Sequence, residues 1–151
     1  MTDEFTAARP NSKLFSAIAV LVALVGLADA VYLTVHHYTA EPVPCSIVEG
    51  CEMVLTSAYA VIGGIPLAGI GAAAYLTAFL LAALALAGKG FAWKLFGLQV
   101  TLMAIVTLWL IYLQGFVIGA FCQFCLLSAA VTFTLFIIFL ISTLTKRLRY
   151  R

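Results

Sequence analysis

The chain has 151 residues, of which 65% are hydrophobic and only 9% are charged, and its mean hydropathy is +1.17. These values exclude a soluble globular domain, in which about 25% of the residues are charged, and indicate that most of the chain lies in lipid. The formal net charge of +2 is small, and we expect no nucleic-acid partner.

Four apolar segments are long enough to cross a bilayer whose hydrocarbon core is about 30 Å thick. We predict transmembrane helices at residues 14–38, 65–87, 91–114 and 121–144. The last two must be separate, because residues 95–145 carry no charge and would be about 76 Å long as one helix. The predicted fold is all-α: an integral membrane bundle of four helices that forms a single domain, residues 1–151.

Residues 39–64 form a long polar connection that contains acidic residues and prolines but no Lys or Arg. Its middle part, residues 52–62, is more apolar, and we predict a short amphipathic helix there that lies on the end of the bundle. The Gly-Gly-Ile-Pro run at 63–66 is typical of a turn that leads into the next helix, since Pro is tolerated in a first helical turn.

The distribution of basic residues predicts the orientation in the membrane. All eight lie in the N-terminal arm, the turn after the second helix and the C-terminal tail: Arg9, Lys13, Lys89, Lys94, Lys146, Arg147, Arg149 and Arg151. The positive-inside rule then makes both termini cytoplasmic. The cysteines face the extracytoplasmic side of a bacterial cytoplasmic (inner) membrane, where disulfides persist.

The run Phe121-Cys122-Gln123-Phe124-Cys125 places a C-x-x-C where the fourth helix begins. The unpaired N–H groups and the dipole at a helix N-terminus stabilise a thiolate, and thiolates attack disulfides. A lone buried cysteine is usually inert, but this pair favours a redox centre. A zinc site uses the same spacing and is the main alternative.

Cys45 and Cys51 form a second close pair, and two pairs suggest two disulfides that exchange. The alternative is a structural staple, although so small a ring removes little entropy from the unfolded chain. In the functional interpretation, this loop pair accepts electrons from a partner and passes them to the C-x-x-C.

The electrons need an acceptor, and the chain has no haem motif, no nucleotide-binding glycine motif and no convincing flavin site. We therefore expect a membrane quinone of the ubiquinone or menaquinone type, held between the helices among apolar and aromatic side chains. The candidate contacts are Leu55, Ser57, Tyr59, Tyr75, Trp109, Tyr112 and Phe121. For each of the aromatic residues, ordinary bundle packing or an anchor at the membrane interface is the alternative.

Asp29 lies about two thirds of the way across the first helix, and a carboxylate within a span suggests a function. Because reduction of a quinone consumes two protons, Asp29 is a candidate proton relay. The alternative is a neutral acid that is hydrogen-bonded between helices. His36 and His37 end this helix and suit the membrane interface.

From residue 26 to about residue 144 the chain resembles the bacterial vitamin K epoxide reductase family. The motifs are Asp29-Ala-Val-Tyr32-Leu-Thr, Cys45-(five residues)-Cys51, Ser57-Ala-Tyr59, Gly64-Ile-Pro66-Leu-Ala-Gly69 and Cys122-Gln-Phe-Cys125. Their order is specific, with a loop pair after the first helix and a C-x-x-C that opens the fourth. The DsbB-type quinone reductases place their C-x-x-C earlier and fit less well.

The resemblance implies a thiol–quinone oxidoreductase that supports disulfide bond formation. The implied electron path runs from a thioredoxin-fold, DsbA-like partner to Cys45, Cys51, Cys122, Cys125 and the quinone. Some bacterial relatives carry the thioredoxin-like domain at the C-terminus, whereas this chain stops at Arg151, so we expect a separate partner protein. Ala129 stands where the animal enzymes carry a tyrosine, which favours a plain quinone over vitamin K epoxide as substrate.

The residues themselves support the same order of thiols. Cys45 lies in the polar, more exposed part of the loop, and Cys51 adjoins the apolar residues 53–62. Cys125 lies about 4.5 Å deeper along the fourth helix than Cys122, which places it nearer the quinone. Two other functions stay open: a metal-binding membrane protein with four thiolates, and a non-catalytic bundle stapled by two disulfides.

Overall fold

The computed structural model describes residues 10–47 and 50–149. Its elements in chain order are α1 (Pro10–Thr39), α2 (Cys51–Leu55), β1 (Val61–Ile62), β2 (Ile65–Pro66), α3 (Leu67–Leu86), α4 (Gly90–Tyr112), a π-helical segment (Leu113–Ile118) and α5 (Gln123–Arg149). Within the described residues, four helices are long and apolar enough to cross a membrane. The prediction of an all-α bundle of four membrane helices is confirmed.

The four long helices form a ring in which α1 and α4 each pack against both α3 and α5. The centre of the ring is formed by small and large apolar side chains that are fully buried: Ala19, Ala23, Ala78, Ala82, Phe96, Val100 and Leu135. Helices in lipid associate through such close packing, because lipid tails are as apolar as the side chains they would replace.

Tyr75 of α3 contacts both α1 and α5. A Cβ atom at Gly26 would overlap the Tyr75 ring, so the ring lies directly against the backbone of α1. The Tyr75 hydroxyl donates to the carbonyl oxygen of Ser128 at 2.8 Å and lies 2.8 Å from Oγ1 of Thr132, both on α5. These contacts hold α1, α3 and α5 in register near the middle of the bundle.

The connection between α1 and α3 differs from the prediction. The helix predicted over residues 52–62 is shorter, since α2 ends at Leu55. The strands β1 and β2 follow it and form an antiparallel hairpin that pairs Val61 with Pro66. The hydroxyls of Thr56 and Ser57 donate to carbonyl oxygens of α2 at 2.7 Å, which offers the backbone an alternative to further helix. The two glycines at the hairpin turn have positive φ angles of 59° and 85°, which glycine adopts without strain.

The end of the third membrane helix, predicted at residue 114, is also different. The helix continues through the π-helical segment, and the chain turns only at Gly119, where φ is 72°. Helix α5 begins at Gln123, so Cys122 lies just before its first turn and not within it. The Cys122 carbonyl oxygen accepts a hydrogen bond from the N–H of Leu126 at 3.0 Å, as the residue that starts a helix does.

Some of the basic residues behind the predicted orientation fall outside this description. Arg9 and Arg151 lie outside the described residues. Lys89 precedes α4 in the turn after α3, and Lys146 lies in the last turns of α5. The cationic residues of the described chain are therefore at the ends of the long helices, as the sequence predicts.

Candidate functional site

All four cysteines lie at one end of the bundle. Cys51 and Cys122 are 1% and 0% exposed and form a buried cluster with Val54, against which Cys45 and Cys125 pack. Cys45 and Cys51 form a disulfide with their Cα atoms 6.2 Å apart, while Cys122 and Cys125 are thiols. The fold therefore gathers the two sequence-predicted pairs into one apolar cluster, one pair oxidised and the other reduced.

Gly50 allows the loop pair to approach the C-x-x-C. A Cβ atom at this position would lie 2.5 Å from the carbonyl oxygen and 2.9 Å from the nitrogen of Phe121, so a larger residue would displace one of the two backbones. The Gly50 carbonyl oxygen also accepts the N–H of Val54 at 3.1 Å, which begins α2. Because Cys51 and Cys122 directly follow the two contacting residues, the contact sets these cysteines beside each other.

Two glutamines hold the backbone around the cysteines. Gln123 accepts the N–H of Ile47 at 3.0 Å through Oε1 and donates to the carbonyl oxygen of Pro44 at 3.3 Å through Nε2. Gln114 of the π-helical segment is 4% exposed, and its Oε1 accepts the N–H of Cys122 at 3.0 Å. Without Gln114, this buried N–H would lack that partner, at a cost of about 1–3 kcal/mol.

Sequence reasoning assigned no role to either glutamine. The signal for Gln114 was a polar side chain inside a long uncharged segment, where a buried polar group needs a partner or a function. The signal for Gln123 was weaker, since polar residues are common at the start of a helix. Only the folded loop reveals that this amide reaches the backbone on both sides of Cys45.

The position of Cys122 at the start of α5 favours its thiolate. The Cys125 thiol donates to the Cys122 sulfur, and the N–H groups of Cys125 and Phe124 also bond to it. These hydrogen bonds, the first above all, outweigh burial and lower the pKa of Cys122 to about 7. The sulfur thus uses N–H groups that are unpaired in the first turn of a helix.

A cavity of about 630 Å³ opens beside the C-x-x-C. Cys125 lies in its wall and Cys122 does not, and the rest of the wall comes from all four long helices and the connection between α1 and α3. The volume lies within the range of small-molecule pockets, roughly 300–1,000 Å³. An apolar chamber of this size with a thiol in its wall fits a quinone ring.

The structure divides the predicted quinone contacts into two groups. Four of them line the cavity: Leu55, Ser57, Tyr59 and Tyr75. The other three are not among its lining residues and are 50%, 54% and 40% exposed: Trp109, Tyr112 and Phe121. Tyr112 stacks instead on Phe116, with the ring centroids 5.1 Å apart. Ala129 is also in the wall, where it contributes only a methyl group.

Asp29 lies in the cavity wall and is 8% exposed. Neither of its carboxyl oxygens has a hydrogen-bond partner in the described part of the chain, so the helix-to-helix hydrogen bond considered as an alternative is absent there. A buried polar group without a partner is costly. Asp29 is therefore a buried acid in the cavity wall whose carboxyl group has no partner within residues 10–47 and 50–149.

His36 and His37 also contribute to the cavity wall, near the end of α1. The Nδ1 atom of His36 lies 3.3 Å from the carbonyl oxygen of Glu41, and its ring centroid lies 4.4 Å from that of Tyr32. These contacts orient the ring of His36 in the cavity wall near the end of α1.

No group of three or more His, Cys, Asp or Glu side chains is placed to hold a metal ion within residues 10–47 and 50–149. The alternative of a metal site with four thiolates therefore has no geometric support in that part of the chain.

Comparison with protein-family models identifies a family. The model of the vitamin K epoxide reductase family matches residues 17–140, a range that includes Asp29, the four cysteines and both glutamines. No curated protein matches the chain. The matched range covers most of the bundle and the whole cysteine cluster. The chain therefore belongs to the vitamin K epoxide reductase family.

Proposed function

We propose that the protein is a membrane thiol–quinone oxidoreductase that takes electrons from a thioredoxin-fold, DsbA-like partner and delivers them to a quinone. Membership of the family implies an oxidoreductase of the vitamin K epoxide reductase type. The observation that carries the finer proposal is that the two pairs meet in one buried cluster while Cys125 also lines the cavity. A path of thiols thus leads from the loop to the cavity.

The first half of the reaction opens the disulfide of the loop pair. A thiolate of the partner attacks the sulfur of Cys45, which forms a mixed disulfide and releases Cys51 as a thiolate. A second partner thiol then attacks the partner sulfur and releases Cys45. The partner leaves with its own disulfide, and the loop pair holds two electrons. Cys45 suits the first attack because it is the less buried member of its pair.

The second half moves the electrons inward. Cys51 attacks the Cys122 sulfur of an oxidised C-x-x-C, Cys125 leaves as a thiolate, and Cys45 then attacks Cys51 and releases Cys122. The low pKa of Cys122 makes it a good leaving group in the last step. The product of this exchange has a loop disulfide and a reduced C-x-x-C, which is the state of the structure.

A bound quinone supplies an acceptor for two electrons and two protons. Cys125 faces the cavity and donates the electrons, after which it re-forms a disulfide with Cys122. Asp29 lines the same cavity, and its carboxyl group has no hydrogen-bond partner among residues 10–47 and 50–149. We assign it the delivery of a proton to the ring. Ala129 contributes only a methyl group to the cavity wall, at the position where the animal enzymes carry a tyrosine. The proposed substrate is therefore a plain quinone of the ubiquinone or menaquinone type and not vitamin K epoxide.

The same proposal includes the orientation. All eight basic residues lie in segments that the positive-inside rule assigns to the cytoplasm. Both termini then face the cytoplasm of a bacterium, and both cysteine pairs face the oxidising side of its inner membrane. The partner meets the loop pair on that side.

The test is stopped-flow quinone reduction by purified, pre-reduced protein. We expect the protein to consume two equivalents of a short-chain ubiquinone analogue, because its four thiols hold four electrons. Cys125→Ser should consume none, and a chelator should change neither result. If the pre-reduced protein leaves the quinone oxidised, the proposal is wrong. If thiol reactivity appears only after chelation, the metal-binding alternative is favoured.

A further inference from the structure

We propose that Gln123 is a positioning residue for the disulfide exchange between the two pairs. Its side-chain amide holds the loop pair in reach of the C-x-x-C, so that Cys51 meets Cys122. The inference rests on the proposed function, in which this exchange is the central step, and it adds a residue that acts through the cysteines.

The geometry of the amide carries the inference. Oε1 accepts the N–H of Ile47 at 3.0 Å and Nε2 donates to the carbonyl oxygen of Pro44 at 3.3 Å. Both partners are backbone groups, one before and one after Cys45. Gln123 itself directly follows Cys122 and begins α5. One short side chain therefore connects the backbone at Cys45 to the backbone at Cys122.

The segment that leads to Cys45 is not held in place by a helix or a strand. Residues 41–45 have no helical or strand structure, and the neighbouring Ile47 is exposed. The contact of Gly50 with the Phe121 backbone fixes the far end of the ring that the Cys45–Cys51 disulfide closes. Gln123 fixes the near end. A chain segment held at both ends loses less conformational entropy when its thiols react.

The step that this arrangement favours is balanced. The Cys51 thiolate attacks the Cys122 sulfur, a Cys51–Cys122 bond forms, and the Cys122–Cys125 bond breaks with its electron pair left on Cys125. Cys45 loses its proton and attacks Cys51, and Cys122 leaves as a thiolate. Cys125 takes up the proton and becomes the thiol that donates to the Cys122 sulfur. The loop pair is oxidised and the C-x-x-C is reduced by the same two electrons. Gln123 takes no part in the bonds that form or break.

The experiment measures the stability of the disulfide between Cys51 and Cys122. In the full chain, Cys45→Ser/Cys125→Ser leaves only these two cysteines, and equilibration with glutathione in quinone-free micelles gives their effective concentration. Adding Gln123→Leu should lower that value about tenfold, because each neutral hydrogen bond contributes a factor of roughly two to ten. Gln123→Glu keeps the acceptor for Ile47 but loses the donor for Pro44. Its effective concentration should therefore lie between that of the double variant and that of Gln123→Leu.

Two controls distinguish a positioning role of Gln123 from a general loss of structure. Thr134→Val removes an exposed side-chain hydrogen bond of the same helix and should leave the effective concentration unchanged. In a Cys45→Ser/Cys51→Ser background, only Cys122 and Cys125 remain. Gln123→Leu should lower the effective concentration of this pair much less than that of the Cys51–Cys122 pair.

The inference is overturned if Gln123→Leu leaves the Cys51–Cys122 value unchanged. It is also overturned if Gln123→Leu lowers the effective concentration of both pairs by the same factor. The side chain would then act on the start of α5 and not on the loop. No quinone and no partner enters the measurement. A failure of the proposed quinone chemistry would therefore leave this result unaltered, and the two failures can be told apart.

Discussion

Cys51 and Cys122 lie in the same buried cluster although one begins α2 and the other precedes α5. The two backbones touch through Gly50 and Phe121, so the pairs meet at their inner members. The outer members differ in surroundings, since Cys45 is half-buried in the loop and Cys125 faces the cavity. The proposed exchange between the inner thiols would therefore take place in a buried cluster, out of contact with soluble thiols.

The orientation can be tested by labelling from outside the cell. After mild reduction of intact spheroplasts, a membrane-impermeant maleimide should react with Cys45, because the loop lies on the side opposite the basic segments. As a matched control, Lys146→Cys in a chain without other cysteines should react only after lysis. Labelling of Cys45 only after lysis would contradict the topology and, with it, the direction of electron flow.

Cys45 should be the thiol that meets the partner. It is more exposed than Cys51, which is nearly inaccessible to a protein-sized reagent. The variant Cys51→Ser cannot complete the exchange, so a mixed disulfide between Cys45 and the partner should accumulate and appear as a reducible band on a gel. If Cys45→Ser traps the partner and Cys51→Ser does not, the order of the two thiols is reversed.

Cys125 should be the residue that donates to the quinone. It lines the cavity and Cys122 does not. In Cys122→Ser, the Cys125 sulfur has no nearby disulfide partner, and with a quinone bound we expect a charge-transfer absorption band in the visible range. The matched variant Cys125→Ser should show neither the band nor turnover. Quinone reduction by Cys125→Ser with electrons from the loop pair would refute the assignment.

The pH dependence should report the hydrogen bond between the two thiols of the C-x-x-C. In reduced Cys45→Ser/Cys51→Ser protein, the first thiolate should appear in the ultraviolet with a midpoint near the pKa of Cys122, about 7. Because this pKa is lowered, the thiolate is present above pH 7 and is lost as the pH falls below it. Cys125→Ala removes the largest cause and should raise the midpoint towards that of an ordinary thiol. An unchanged midpoint would show that the backbone N–H groups suffice.

Asp29 should affect the reduction of the quinone and not the exchange of disulfides. Asp29→Asn keeps the volume of the side chain but cannot deliver a proton, and loss of such a group commonly slows a reaction by about 10²–10⁴-fold. We therefore expect slower single-turnover quinone reduction, with the Cys51–Cys122 effective concentration unchanged. Quinone reduction at the normal rate in Asp29→Asn would leave Asp29 with a purely structural role.

Much of the fold was predictable because lipid imposes simple requirements on a chain. A span needs about 20 apolar residues, so hydropathy and length locate α1, α3, α4 and α5. The connections were harder. The hydroxyls of Thr56 and Ser57 bond to carbonyl oxygens of α2 where that helix ends, and the π-helical segment delays the turn to Gly119. Such local competition between hydrogen bonds leaves no periodic pattern for sequence reasoning to detect.

Which of the candidate quinone contacts line the cavity was only partly predictable, for a different reason. A membrane helix is apolar on the side that faces lipid as well as on the side that faces the bundle, so its pattern does not distinguish the two. Tyr75 faces inward and is buried, whereas Trp109 and Tyr112 are half-exposed. Which aromatic faces the cavity depends on how the four helices pack.

The four spans, the two cysteine pairs, the acid in the first span and the resemblance to a family follow from composition, spacing or order along the chain. That Cys51 meets Cys122, and that Gln114 and Gln123 hold the backbone around them, is visible only in the folded protein. These relationships join segments that lie far apart in the chain. They depend on a glycine against a distant backbone and on two amides whose partners exist only after folding.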